Sequence, residues 1–113
     1  MNTITIEELM KQKPETITVL DVRPADEYRR GTFDGAISMP MKEIPERKEE
    51  IPKDKPVYLL CHTGERSMEY VDYLEQNGYD AWNVEGGYRA YLRMQLASFV
   101  QEEDARKEKT AEI

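Results

Sequence analysis

Apolar residues fall in short clusters along this chain, and their period changes from cluster to cluster. Ile17-Thr18-Val19-Leu20-Asp21-Val22 and Val57-Tyr58-Leu59-Leu60 are compact runs with apolar centres, which predicts two strands buried in a parallel sheet. Tyr79-Asp80-Ala81-Trp82-Asn83-Val84 predicts another strand, and Gly35-Ala36-Ile37-Ser38-Met39-Pro40 a further short strand or extended segment. Elsewhere the period lengthens. Met68, Val71 and Leu74 recur at three-residue spacing ahead of an Asn77-Gly78 stop signal, which predicts an amphipathic helix from Ser67. Leu92, Leu96, Phe99 and Val100 keep helical spacing in a last helix that begins near Tyr88, after a Gly86-Gly87 turn.

Local signals complete the pattern. Thr5-Ile6-Glu7-Glu8 has the form of a capping box, with Leu9 and Met10 giving the first helix its apolar face and Pro14 ending it. Pro24 suits the first position of a helix that carries Asp26, Glu27 and Tyr28 and closes at Gly31, with Arg23 and Glu27 close enough to pair across its start. The charged stretch from Lys42 to Lys55, anchored by Ile44 and Ile51 and punctuated by Pro45 and Pro52, predicts one short helix and a loop. Strands alternating with helices imply an α/β fold, a parallel sheet covered on both faces that binds ligands beyond the carboxyl ends of its strands. No repeat or linker divides the chain, so residues 1–100 are expected to form one domain. The charged tail, 101–113, is expected to continue the last helix briefly and then fray, as a solvated end rather than a binding segment.

Composition narrows the chemistry. With 113 residues, 39% hydrophobic and 35% charged, the chain supports a single soluble core. No apolar run approaches the roughly 20 residues needed to span a bilayer, and the N-terminus lacks the basic and apolar regions of a secretory signal, so a cytoplasmic location is the default. The formal charge of −7 disfavours nucleic acid as a partner and opposes long-range steering of a dianionic small molecule. The choice between a monomer and a weak dimer stays open. One cysteine excludes an internal disulfide and a resolving thiol, so an adduct on Cys61 must leave to another molecule. The single histidine lies beside that cysteine, which leaves no structural zinc spacing, and no cofactor is called for.

Cys61-His62-Thr63-Gly64-Glu65-Arg66-Ser67 joins the strand at 57–60 to the helix that follows. A tight loop there turns backbone N–H groups inward beside unpaired first-turn amides, which favours negative charge and therefore a thiolate. Gly64 supplies the positive φ of a curled loop, and Arg66 a fixed charge with a forked donor. The bland alternative, a small buried hydrophobe at a strand end, describes most single cysteines; Gly64 and Arg66 tip the reading toward a reactive sulfur. Asp21 and Arg23 read as a strand-end hydrogen-bonding network rather than a site, and Ser67 as a helix cap rather than a nucleophile. Adjacent residues in a curled loop point apart, so His62 is expected to touch substrate rather than act as a base.

These segments in this order resemble the rhodanese-like domain family. Asp21-Val22-Arg23, Glu27-Tyr28, Gly31, Gly35-Ala36-Ile37 and Pro40 match its first block, and Cys61-x-x-Gly64-x-Arg66-Ser67 looks like its active-site loop. Val84-x-Gly86-Gly87 with Tyr91 is similar to its last block, where tryptophan is more usual. The resemblance covers roughly Thr3 to Arg93 and implies a three-layer domain with a central parallel sheet of about five strands and helices on both faces. It implies a sulfurtransferase that moves a sulfane sulfur from thiosulfate or a persulfide to cyanide, a thiol or a carrier protein through a Cys61 persulfide. Arg66 would orient the incoming anion or support the loop, and His62, Thr63, Gly64, Glu65 and Ser67 would contact substrate and hold the persulfide's charge. Two departures stand out: Gly31-Thr32-Phe33 where the family commonly has Gly-His-Ile, and Glu65, a carboxylate that opposes a dianionic donor.

A cysteine phosphatase or arsenate reductase is the nearest rival chemistry. Such enzymes place five residues between cysteine and arginine around a tetrahedral oxyanion, whereas four separate Cys61 from Arg66, a smaller ring that suits one sulfur atom. A docking module without catalysis is disfavoured by the intact cysteine, and a redox-sensing interaction domain is the remaining alternative, since an exposed thiolate is also readily oxidised.

Overall fold

The structure is a computed structural model that describes residues 2–111. Five strands, β1 (Thr3–Ile4), β2 (Thr18–Asp21), β3 (Ile37–Ser38), β4 (Val57–Leu60) and β5 (Ala81–Val84), form one sheet in the order β1-β5-β4-β2-β3, with every neighbouring pair parallel. The connections contain α1 (Ile6–Met10), α2 (Ala25–Arg30), α3 (Ile44–Arg47) and α4 (Met68–Gln76), and α5 (Gly87–Ala111) follows the last strand. The expected α/β class, with its five-stranded parallel sheet and helical layers, is what the chain forms.

Alternation along the strands divides the core in two. Val57 and Leu59 of β4 point with Leu20 toward α3 and α4, meeting Ile44, Val71 and Leu74. Tyr58 and Leu60 point the opposite way with Val19, toward Ile6 and Leu9 of α1 and Tyr88, Tyr91 and Met94 of α5. Both faces of the central strands are covered, which explains why their sequences read as continuous apolar runs. The chain reverses its direction of travel across the sheet at β2, with β3 on one side and β4 on the other, and a crevice opens beyond the carboxyl ends of β2 and β4. No helix among the described residues is long and apolar enough to cross a membrane.

Thr5 caps α1 as expected: the Glu8 amide donates to Thr5 Oγ1 at 3.2 Å, while the Glu8 carboxylate accepts from the Thr5 hydroxyl at 2.9 Å, so the reciprocal half of the box runs through the hydroxyl and leaves the backbone N–H of Thr5 out. Several local expectations change. β1 is a two-residue edge strand, paired through Thr3 with Asn83 and through Ile4 with Val84, and it is too short to leave a periodic signature. Only Ile37–Ser38 of the expected 35–40 segment joins the sheet, and Pro24 sits at the N-cap of α2 rather than at its first position. α5 starts at Gly87 and stays helical through Ala111, further than a brief continuation beyond residue 100.

Arg23 does not pair with Glu27. Its Nη2 lies 2.7 Å from Asp21 Oδ2 and donates to the Gly31 carbonyl at 2.7 Å, while Thr32 donates to the same carboxylate at 2.7 Å. The Tyr88 ring lies 3.9 Å from the guanidinium, and Asp21 is fully buried. Burial works against the Arg23 charge, but the hydrogen bonds and attraction of Asp21, helped by Tyr88 and Glu27, hold its pKa above the ordinary arginine value. This is the strand-end network the sequence implied, tying β2 to the end of α2 and to α5. Asp21→Asn should therefore cost about 3 kcal/mol of stability by stranding a buried guanidinium. A urea midpoint equal to that of the parent protein would contradict this role.

Candidate active site

Cys61 directly follows β4 and continues its alternation, so its side chain joins Leu59 on the α3/α4 face and is only 2% exposed. The chain then curls. Gly64 adopts φ +86°, and its amide donates to Cys61 Sγ at 2.9 Å. The Ser67 hydroxyl lies 3.3 Å from the same sulfur and also donates to Asn83 Oδ1. Asn83 Nδ2 donates to the Gly64 carbonyl at 2.8 Å. One buried amide on β5 thus fixes both residues whose polar atoms lie against the sulfur among the described residues.

This network overturns the capping role of Ser67. The residue stands at the start of α4 with helical dihedrals (φ −68°, ψ −18°), and its side chain makes no capping bond. The hydroxyl is drawn inward because Asn83, whose Nδ2 is committed to Gly64, presents a buried acceptor. Asn83 is the site residue that sequence reading missed. Its signal was a polar residue at the centre of the apolar Ala81–Val84 strand, which asks for a buried partner.

α5 grips the loop from the other side. Its first-turn amides would lack intrahelical partners, and Tyr88 N donates to the Cys61 carbonyl at 2.8 Å and Arg89 N to that of His62 at 3.1 Å. This approach leaves no room for side chains where the segments cross. A Cβ on Gly87 would collide with the Cys61 carbonyl, and one on Gly64 would come within 2.8 Å of the Val84 carbonyl. Gly64 is therefore required by crowding as well as by its φ.

The crevice beside Cys61 encloses about 690 Å³. Cys61, His62, Glu65 and Arg66 line it, together with Val22 and Arg23 from β2's end, Met41 and Tyr70. Thr63, Gly64 and Ser67 do not line it; Gly64 and Ser67 support the sulfur from within the protein. His62 is exposed, with no hydrogen bond to Cys61 among the described residues. Arg66 makes no ion pair among the described residues, so its guanidinium is available to an incoming anion. Carboxylates also face the crevice, from Glu27, Glu43, Glu65 and Glu69; Glu43 is engaged by Arg47 at 3.0 Å. No group of three or more His, Cys, Asp or Glu that would hold a metal ion occurs among the described residues.

A five-stranded parallel α/β domain with one cysteine cradled by a loop at the strand-order reversal is the class that fold and site define. Residues 5–94 match the Rhodanese-like domain family, and the chain belongs to it. A protein of Allochromatium vinosum named "Sulfurtransferase" is 38% identical over 96 residues, 82% of this chain and 90% of that one. Among solved structures, a rhodanese-related protein from Thermoplasma volcanium matches with a TM-score of 0.77 and 30% identity, covering 83% of this chain and 93% of the other. A rhodanese-like domain protein from Staphylococcus aureus matches with a TM-score of 0.74 and 39% identity over 80% and 91%.

Asn83→Ala should lower stability by about 1–3 kcal/mol, because it removes the partner of a buried carbonyl and a buried hydroxyl. Chemical denaturation measures the loss; a variant as stable as its parent would show that the loop holds itself without β5.

Proposed function

We propose that the protein is a sulfurtransferase in which Cys61 carries the transferred sulfur. The observation that carries this reading is a solitary thiol held by the Gly64 amide on the wall of an open crevice, in a chain of the Rhodanese-like domain family. The Cys61 thiolate attacks the sulfane sulfur of thiosulfate or of a persulfide. A new S–S bond forms at Sγ, the donor's S–S bond breaks, and sulfite or a thiolate departs with the bonding pair. An acceptor (cyanide, a thiol or a carrier protein) then attacks the outer sulfur and returns the electron pair to Sγ. The Gly64 amide and the neighbouring loop N–H groups stabilise sulfur-borne charge, Arg66 orients the anionic donor, and His62 and Glu65 border its path.

The single cysteine makes the test direct. Donor treatment should raise the intact mass by one sulfur atom, cyanide or reductant should remove it, and Cys61→Ser should take up none. An unchanged parent mass with thiosulfate and with glutathione persulfide would reject the reading. Glu65 sets the preference between donors, because its carboxylate repels a dianion at the crevice mouth. Glu65→Lys should lower the apparent KM for thiosulfate by about fivefold, equivalent to ~1 kcal/mol. Steady-state kinetics with an unaltered KM would remove Glu65 from substrate selection.

A further inference from the structure

α5 carries two apolar faces, and the domain uses one. Tyr88, Ala90, Tyr91 and Met94 pack against the sheet, while Leu92, Leu96, Phe99 and Val100 form a second stripe at i, i+4, i+7 and i+8. Leu96 is 62% and Phe99 58% exposed. The helix also leaves the body of the domain. The molecule measures 60 × 27 × 22 Å with a radius of gyration of 16.4 Å, against about 13 Å for a compact chain of this length. A projecting helix of a few turns is marginal in water, and burial of its stripe supplies what intrahelical bonds do not.

We propose that this stripe joins two copies of the chain through antiparallel packing of their α5 helices. Charge selects the partner. Arg89 and Arg93 lie at the base of the helix and Glu102 and Asp104 further out, and none of the four makes an ion pair among the described residues. Antiparallel pairing centred between Leu96 and Phe99 sets Leu96 of one copy against Phe99 of the other. It brings Arg93 beside Asp104, which lies eleven residues on and so on the same flank of the stripe, and repeats both contacts across the two-fold axis. Parallel pairing would instead stack like charges. The stripe and its electrostatic complement thus belong to the same helix, so a second copy satisfies both.

Analytical ultracentrifugation of the full chain over a concentration series tests the proposal. The parent should reach twice the chain mass. Leu96→Glu combined with Phe99→Glu should run at the mass of one chain with an unchanged near-ultraviolet dichroism spectrum, since neither side chain belongs to the core. Arg93→Glu should weaken the dimer by about tenfold, and adding Asp104→Arg should restore it. A parent that stays at one chain mass up to several hundred micromolar, or a dimer indifferent to the double substitution, overturns the interface. Failure of the charge swap to restore association overturns the antiparallel arrangement.

Discussion

The sulfur of Cys61 depends on a clamp made elsewhere in the sequence. Asn83 of β5 donates to the Gly64 carbonyl and accepts from Ser67, and these are the residues whose polar atoms lie against Sγ among the described residues. Because β5 lies beside β4 in parallel register, Asn83 reaches the loop that leaves β4 without any distortion of either strand. The first turn of α5 completes the grip through the carbonyls of Cys61 and His62. Sheet order, rather than the loop's own preference, therefore sets the conformation that turns the Gly64 amide toward the sulfur. Gly64 and Gly87 are where the clamp closes, since a methyl group at either position would meet backbone.

The opposite wall of the crevice rests on a second buried network. Arg23 lines the crevice, but its guanidinium is occupied by Asp21, the Gly31 carbonyl and the Tyr88 ring, so it shapes the wall rather than offering a free charge. Arg66, which makes no ion pair among the described residues, faces the opening. Two arginines that look alike in sequence are separated by the number of partners each finds. A buried charge must be paired to be tolerated, whereas an exposed one at a crevice mouth keeps its donors for a ligand.

Charge around the opening is mixed, and this bears on which anions can approach it. Arg66 and Lys42 favour an anion, while Glu27, Glu65 and Glu69 oppose it, within a chain of net charge −7. Approach of a dianion is therefore less favourable than approach of a neutral or singly charged molecule, and the balance weakens as salt screens the outer residues.

Much of this was local and therefore readable. The two apolar runs at 17–22 and 57–60, the Thr5 capping box, the three-residue spacing after Ser67 and the cysteine loop each carry their signal within a few residues, and each formed where expected. The partners of polar groups were not readable. Arg23 turned to Asp21 instead of Glu27, Ser67 left its helix end for Cys61 and Asn83, and β1 became a strand only because β5 had an open edge. The sequence by itself determined that a parallel α/β domain would set one cysteine at the end of a buried strand, because periodicity and turn chemistry are properties of neighbours in the chain. Tertiary structure alone decided which donors face that sulfur, because Asn83 lies 22 residues beyond Cys61 and strand pairing brings the two together.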